Sequence, residues 1–331
     1  MKKKILGTLL SVAMVMSMVI GCGSNNNSGT TESTDTDATA EEVASGTDDD
    51  LYSVAFICKS YSDTFCLAVR DEFEKAAAEY SDLFTVEYFD SANESATQIS
   101  QIETCTAAGY DAIIFQQVDA EAPVEVVKAA IEQGIKVIVT TGHIEDDGAS
   151  WFVDADPYQQ GEVVASYAME QGDCDDAEVA ILSGPVGNFH SENRVQAFTD
   201  AVSGNATATL VATEVADWSK DTAMTVVQNW LVAYPNLKVI FAANDDMGMG
   251  AVEAIEMAGR ENDMKVFAID GTEAGVEGVT AGRLQATVQQ DTKGYAVEAL
   301  NLMVDLFEGK EAKSLNIDST LITIDNVADF Q

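Results

Sequence analysis

Basic residues are scarce in this chain: 17 Lys and Arg stand against 56 Asp and Glu, a formal net charge of −39. A field of that sign repels phosphate backbones, so no nucleic-acid partner is expected. Histidine is nearly missing too, with only His143 and His190 present, both just past predicted strands. No GxSxG elbow, HExxH, Walker loop or complete GxGxxG accompanies them, which removes the motif support for the common hydrolase, metalloprotease and nucleotide-dependent chemistries. Either histidine has the chemistry for acid-base work. A ligand contact or loop position accounts for each more simply, so no catalytic residue, cofactor or metal is expected and the chain is read as a non-enzyme.

Long apolar runs are also lacking. The uncharged run at residues 5–20 is 16 residues long, short of the roughly 20 that cross a bilayer as a helix. It follows Lys2, Lys3 and Lys4 and closes with Val19-Ile20-Gly21-Cys22. A basic start, a short apolar stretch and a small residue before the break make a secretory signal peptide over residues 1–21. The tetrapeptide resembles the lipobox of bacterial lipoproteins, which implies lipid attachment at Cys22. The alternative is an ordinary signal peptide with an incidental cysteine. Two acyl chains would meet the two-signal requirement for stable anchoring. Removal of the leader leaves 14 basic against 56 acidic residues, a balance of −42. Residues 22–50 hold Ser, Thr, Asn, Gly, Asp, Glu and Ala with almost nothing to bury, as in a disordered tether. Four further cysteines, Cys58, Cys66, Cys105 and Cys174, are irregularly spaced without a CxxC, so no structural disulfide is expected.

The 47% hydrophobic content is that of a globular protein, and 331 residues suffice for two domains with separate cores. From residue 51 onward short apolar runs alternate with helical patterns, the signature of parallel sheets covered by helices. Strands are predicted at 52–57, 84–89, 112–115, 136–139, 178–182, 209–215, 238–242, 265–269, 284–289 and 321–324, with a short extended piece at 151–153. Two successive doubly wound α/β units of similar size fit this count better than one large sheet. The helix predicted at 295–307 follows the second unit's strands, so the chain should cross back near Asp291 and return near Asn316. The expectation is a three-crossing hinge between a lobe of 51–155 plus 291–315 and a lobe of 156–290 plus 316–331.

The chemistry gathers where strands end. In 239–255 an apolar run stops at Asn244, Asp245 and Asp246 and a helical pattern starts at once. In an open parallel sheet, ligands sit in the crevice beyond the strand ends. Asn244 is therefore either a helix cap or a ligand contact. The other strand ends carry Lys59 through Phe65, Gln116-Gln117, Thr140 through His143, Ser183-Gly184-Pro185 leading to Arg194, Asp217-Trp218, Asp270-Gly271 and Gln290. Asp, Asn, Gln and Arg each take adjacent hydroxyls in paired hydrogen bonds, and an aromatic ring covers the apolar face of a sugar. The set suits a neutral polyol. With such neighbours Asn244 is read as a ligand contact and Asp245 as the cap.

Three ordered motifs, Phe241-Ala242-Ala243-Asn244-Asp245, Ile269-Asp270-Gly271-Thr272 and Gln285-Ala286-Thr287-Val288-Gln289-Gln290, resemble the ribose-binding branch of the type I periplasmic binding proteins. These are extracytoplasmic receptors of sugar ABC transporters. The resemblance spans residues 52 to about 324. It implies a protein on the outer face of the bacterial cytoplasmic membrane, monomeric, with a carbohydrate-like ligand (a sugar, sugar alcohol or sugar acid) and an ABC permease as partners. Residue by residue, it places Arg194, Asn244 and Asp270 on ligand hydroxyls or the ring oxygen, Gln290 at the site edge beside a hinge crossing, and Phe65 and Trp218 on either side of the ring.

The first lobe departs from the family pattern. Lys59 stands where a small hydroxyl residue is expected, Asp63 and Gln116 where Asn is expected, Thr141-Gly142 where Asp-Arg is expected, and Cys66 in place of a second aromatic. The expected ligand set is thus Lys59, Asp63, Phe65, Gln116, Thr141, Arg194, Trp218, Asn244, Asp270 and Gln290, with ribose itself disfavoured. Lys59 either meets an acidic ligand group or pairs with Asp63, the pairing being favoured because an unpaired buried charge is costly. Two other roles share the fold. The regulatory domain of lactose-repressor-type transcription factors is set aside by the leader and the charge, whereas a sensory receptor presenting its ligand to a membrane signalling protein stays open.

Overall fold

The computed structural model describes residues 51–331. The signal segment, Cys22 and the tether lie outside the described residues. From Tyr52 the chain builds two six-stranded sheets. The first contains β1 (Tyr52–Cys58), β2 (Phe84–Asp90), β3 (Ala112–Gln116), β4 (Lys136–Thr140), β5 (Trp151–Asp154) and the short β11 (Leu315–Asn316), in the order β11-β5-β4-β3-β1-β2. All its pairings are parallel.

The period of two along each strand decides which core a side chain joins. Val54, Phe56 and Cys58 pack on one face with Ile114, against α1 (Thr64–Ala77) and α9 (Thr292–Phe307). Ala55 and Ile57 pack on the other with Ile113 and Phe115, against α2 (Ser95–Ala108) and α3 (Val124–Glu132). Both faces are buried, so these strands read as continuous apolar runs rather than as alternations.

The second sheet contains β6 (Glu178–Ser183), β7 (Thr209–Val215), β8 (Leu237–Ala242), β9 (Lys265–Phe267), β10 (Ala286–Gln290) and β12 (Ser319–Thr323), in the order β12-β10-β9-β8-β6-β7. Around it lie α4 (Pro157–Glu170), α5 (Phe189–Gly204), α6 (Lys220–Ala233), α7 (Asp245–Met257) and α8 (Glu273–Thr280). Its core joins Phe198, Trp230, Phe241 and Phe267, all of them buried. Each contributes about 1.5–3 kcal/mol by leaving water. The chain passes between the sheets three times, between β5 and α4, between β10 and α9, and between β11 and β12.

Two details differ from the sequence reading. β12 runs antiparallel to β10, because the return through the hinge after β11 brings it in from the opposite end. β11 spans two residues, too few to carry a periodic signal.

Candidate ligand-binding site

The C-terminal ends of both sheets face each other across a cleft. Between them lies a cavity of about 30 Å³ lined by Lys59, Asp63, Phe65, Cys66, Gln117, Thr141, Asn188, His190, Arg194, Trp218, Asn244, Asp270 and Gln290. That volume is about one water's worth. The lobes are closed on each other: Thr64 Oγ1 donates to Asp246 Oδ2 at 3.1 Å, and Ala120 N to Gly187 O at 3.2 Å.

From the second lobe, Arg194 is 2% exposed and is the hub. Its Nη1 donates to Ala243 O at 2.8 Å, Nη2 and Nε donate to Gln160 Oε1 at 2.7 and 3.1 Å, and Nη1 lies 3.5 Å from Asp270 Oδ1. Gln290 Nε2 donates to Asp270 Oδ1 at 2.6 Å, and Tyr295 Oη donates to Gln290 Oε1 at 3.1 Å. Arg194 Nη2 lies 3.1 Å from His190 Nδ1, whose Nε2 lies 2.8 Å from Asp154 Oδ1. Since guanidinium only donates, Nδ1 accepts and Nε2 carries the proton. Asp154 ends β5, so this contact ties the lobes together near a hinge crossing. Burial pushes the Asp270 carboxyl well up against the pull of Arg194, and burial lowers His190 despite Asp154.

From the first lobe, Lys59 Nζ lies 2.6 Å from Asp63 Oδ2. Burial works against both charges, but each outweighs it for the other: the Lys59 ammonium is held above, and the Asp63 carboxyl below, its ordinary range. Asp63 also caps α1, accepting from Cys66 N at 2.9 Å. Lys59 Nζ sits 5.2 Å and Arg194 Cζ 5.9 Å from the Trp218 ring centroid, within cation–π range. Phe65 meets Tyr295 edge-on at 5.8 Å. Three lining residues hold positive φ without being glycine: Thr141 (58°), Trp218 (59°) and Asp270 (138°). Such outliers cluster at functional sites because the surrounding structure must hold them there.

The structure brings nine of the ten expected residues to the cavity and places the tenth, Gln116, behind it. Gln116 is the last residue of β3 and points to the same face as Ile114. Its Oε1 accepts from Lys59 N at 3.1 Å and its Nε2 donates to Cys66 O at 3.0 Å. Its side chain is thereby spent on the frame, and Gln117 lines the cavity instead. The helix cap is a second correction. Asn244 Oδ1 accepts from Met247 N at 2.9 Å, so Asn244 both caps α7 and lines the cavity. Asp245, fully buried, accepts from Thr272 N, Thr272 Oγ1 and Thr287 Oγ1 at 2.8, 3.0 and 2.6 Å, tying the turn after β9 to strand β10. Burial pushes its carboxyl up to about 6. Sequence reasoning left Cys66, Gln117, Asn188 and His190 out of the ligand set. Asn188 and His190 were within reach as the residues opening the helix that carries Arg194.

Two doubly wound lobes with a polar, hydroxyl-matching cavity at their facing strand ends define a solute-binding protein. Residues 54–311 match the family model described as periplasmic binding protein domain, and the chain belongs to that family. The chain is 29% identical over 285 residues to the D-allose-binding periplasmic protein of Escherichia coli K12, covering 81% of this chain and 91% of that protein. An ABC transporter solute-binding protein of Bacillus halodurans C-125, solved with bound myo-inositol, superposes with a TM-score of 0.81 at 26% identity, covering 85% of this chain and 97% of the other. The fructose-binding periplasmic domain of the hybrid two-component system BT1754 does so with 0.79 at 26% identity, covering 85% and 93%.

Proposed function

We propose that this protein is an extracytoplasmic, lipid-anchored receptor that captures a neutral, monosaccharide-like polyol between its lobes and delivers it, closed, to an ABC permease. The observation that carries the reading is the Arg194–Asp270–Gln290 network, which together with Asn244 presents paired hydrogen-bonding groups to one cavity. Relatives that hold D-allose and myo-inositol support the ligand class. The Lys59 ammonium is already paired with Asp63 at 2.6 Å, which favours an uncharged ligand over a sugar acid. A ligand that touches both lobes binds the closed form better than the open one, so it shifts the population toward closure.

A thermal-shift screen of the purified protein against D-allose, D-fructose, D-ribose, myo-inositol, glucuronate and the amino acids tests this. A rise in melting temperature with a neutral polyol is expected, and a rise only with amino acids overturns it. Anchoring is tested separately: Cys22→Ser should move the protein from the membrane to the soluble fraction of the producing cell. A second reading, presentation of the ligand to a membrane signalling protein, is favoured by the likeness to a two-component receptor domain. Loss of labelled-ligand uptake on deleting the receptor gene supports transport, and unchanged uptake with a lost transcriptional response supports sensing.

A further inference from the structure

Three glutamines surround the end of β3, and two of them are spent on the backbone. Gln98, 1% exposed, donates from Nε2 to Gln116 O at 2.8 Å and accepts at Oε1 from Val118 N at 3.1 Å, so it clamps the chain on both sides of Gln117. Gln116 ties Lys59 N to Cys66 O across the connection from β1 to α1. Gln117 is left over. It is 1% exposed and lines the cavity, and neither its Oε1 nor its Nε2 has a partner. A buried carboxamide with both atoms unmatched is costly unless something arrives to match it. The amide oxygen and nitrogen are equally unmatched, so either orientation of the carboxamide leaves one donor and one acceptor open.

The neighbouring backbone is shaped around this side chain. A Cβ on Gly142 would lie 2.5 Å from Gln117 Cγ and 2.7 Å from its Nε2. Any other residue at 142 displaces the amide. The Thr141-Gly142 pair that sets this chain apart after β4 is thereby linked to Gln117, with Thr141 held at φ 58° to turn the backbone beneath it. On the opposite wall Trp218 Nε1 is likewise buried without a partner.

We infer that Gln117 is a specificity-determining ligand contact of the first lobe. Its carboxamide takes two adjacent hydroxyls of the ligand, donating from Nε2 to one oxygen and accepting the proton of the other at Oε1, while Trp218 Nε1 donates to a third ligand oxygen. The inference rests on the polyol reading above and narrows it to ligands with a vicinal diol on the face turned toward the first lobe. A hydroxyl-matching site rejects an analogue that lacks one hydroxyl because its own buried group is then stranded.

The test is isothermal titration of wild-type protein and two variants, Gln117→Leu and Gly142→Ala, with D-allose, D-fructose, D-ribose and myo-inositol. It is then repeated with the monodeoxy analogues of whichever binds most tightly. In wild type, removal of either of two adjacent hydroxyls should weaken binding about 10- to 100-fold. In Gln117→Leu the parent compound should lose about the same factor, those two analogues should bind within about threefold of it, and discrimination at other positions should persist. Gly142→Ala should give the same pattern, and it carries the test if Gln117→Leu does not fold. Unchanged affinity in both variants, or a loss uniform across all analogues, overturns the inference. Asp270→Asn separates the two levels. If it loses binding while the Gln117→Leu profile equals wild type, the polyol site stands and the role of Gln117 falls. If no polyol binds the wild type, both fall.

Discussion

The two lobes meet the cavity with different kinds of chemistry. In the second lobe Arg194, Asp270 and Gln290 are bonded to one another, to Gln160 and to the backbone at Ala243. Asn244 is committed to a helix cap at one of its two polar atoms. In the first lobe the charged pair Lys59–Asp63 closes on itself, and the amide of Gln117 is bonded to nothing. A network whose members hold each other is rigid before a ligand comes and fails as a unit when one member is removed. An unmatched group on a clamped backbone is free to specify. The second lobe therefore supplies generic recognition of hydroxyls, and the first lobe decides which molecule qualifies.

The largest effect should come from the hub of the second lobe. Arg194→Met keeps the length of the side chain but strands the Gln160 carbonyl, Ala243 O and the Asp270 carboxylate in a buried site. A loss of about 3–5 kcal/mol in urea unfolding is expected, with polyol binding abolished. A loss below about 1 kcal/mol means the network is not the rigid half of the site.

The matching break in the first lobe is Asp63→Asn, which retains the cap on α1 because Asn caps as well as Asp. It removes the counter-charge 2.6 Å from a buried ammonium, at an expected cost of about 1.5–3 kcal/mol. It also leaves Lys59 free for an anionic partner, so affinity for glucuronate relative to its neutral parent sugar should rise in titration calorimetry. An unchanged ratio shows that Lys59 does not face the ligand.

Asn244 then separates structure from recognition within the second lobe. Asn244→Ser keeps a cap and Asn244→Ala does not, so only the alanine variant should lose stability, by about 1 kcal/mol. Both should weaken polyol binding by about 1.5–3 kcal/mol, because the carboxamide nitrogen that the cap leaves over is gone in each. Full affinity in the serine variant would make Asn244 a cap alone.

The fold was legible because its signals are collective. Apolar runs such as those of β1, β6 and β8 are set by burial on both faces, and the helices between them by their spacing, so an error of a residue or two does no harm. The site is less forgiving. Ending β3 at Phe115 instead of Gln116 confuses the side chain under the sheet with the one in the cleft, and the residue carried over by resemblance is the one that faces the frame. The cap on α7 falls on Asn244 rather than Asp245 for a similar reason: capping depends on which residue leaves the extended conformation, and Asn244, at φ −151°, is still extended. Gln98 carried no signal at all, because its two bonds to the β3 turn join elements that only the folded chain brings together.

The finest contrast lies between a group shared by the lobes, His190, and one internal to the second lobe, Asp245. His190 faces Asp154 at 2.8 Å and Arg194 at 3.1 Å, with His143 3.4 Å from the same carboxylate. Burial holds its folded pKa below the ordinary 6.5, so the unfolded chain takes up the proton first as pH falls. Its contribution is complete above about 6.5 and is lost as pH falls from there toward the folded value. Asp245 runs the other way. Its folded value, raised from 3.8 to about 6 by burial, means that the folded protein takes up the proton first. That residue's contribution is complete below about 3.8 and is lost as pH rises through about 6. Urea unfolding at pH 7, 6 and 5 of wild type, His190→Gln and Asp245→Asn separates the two. The wild-type advantage over His190→Gln should shrink toward pH 5 and that over Asp245→Asn should grow, each by about 1 kcal/mol or less. Parallel curves for both variants would mean that neither group is held in its buried, charge-averse state, and the contact between the lobes at Asp154 would then be no tighter than a surface pair.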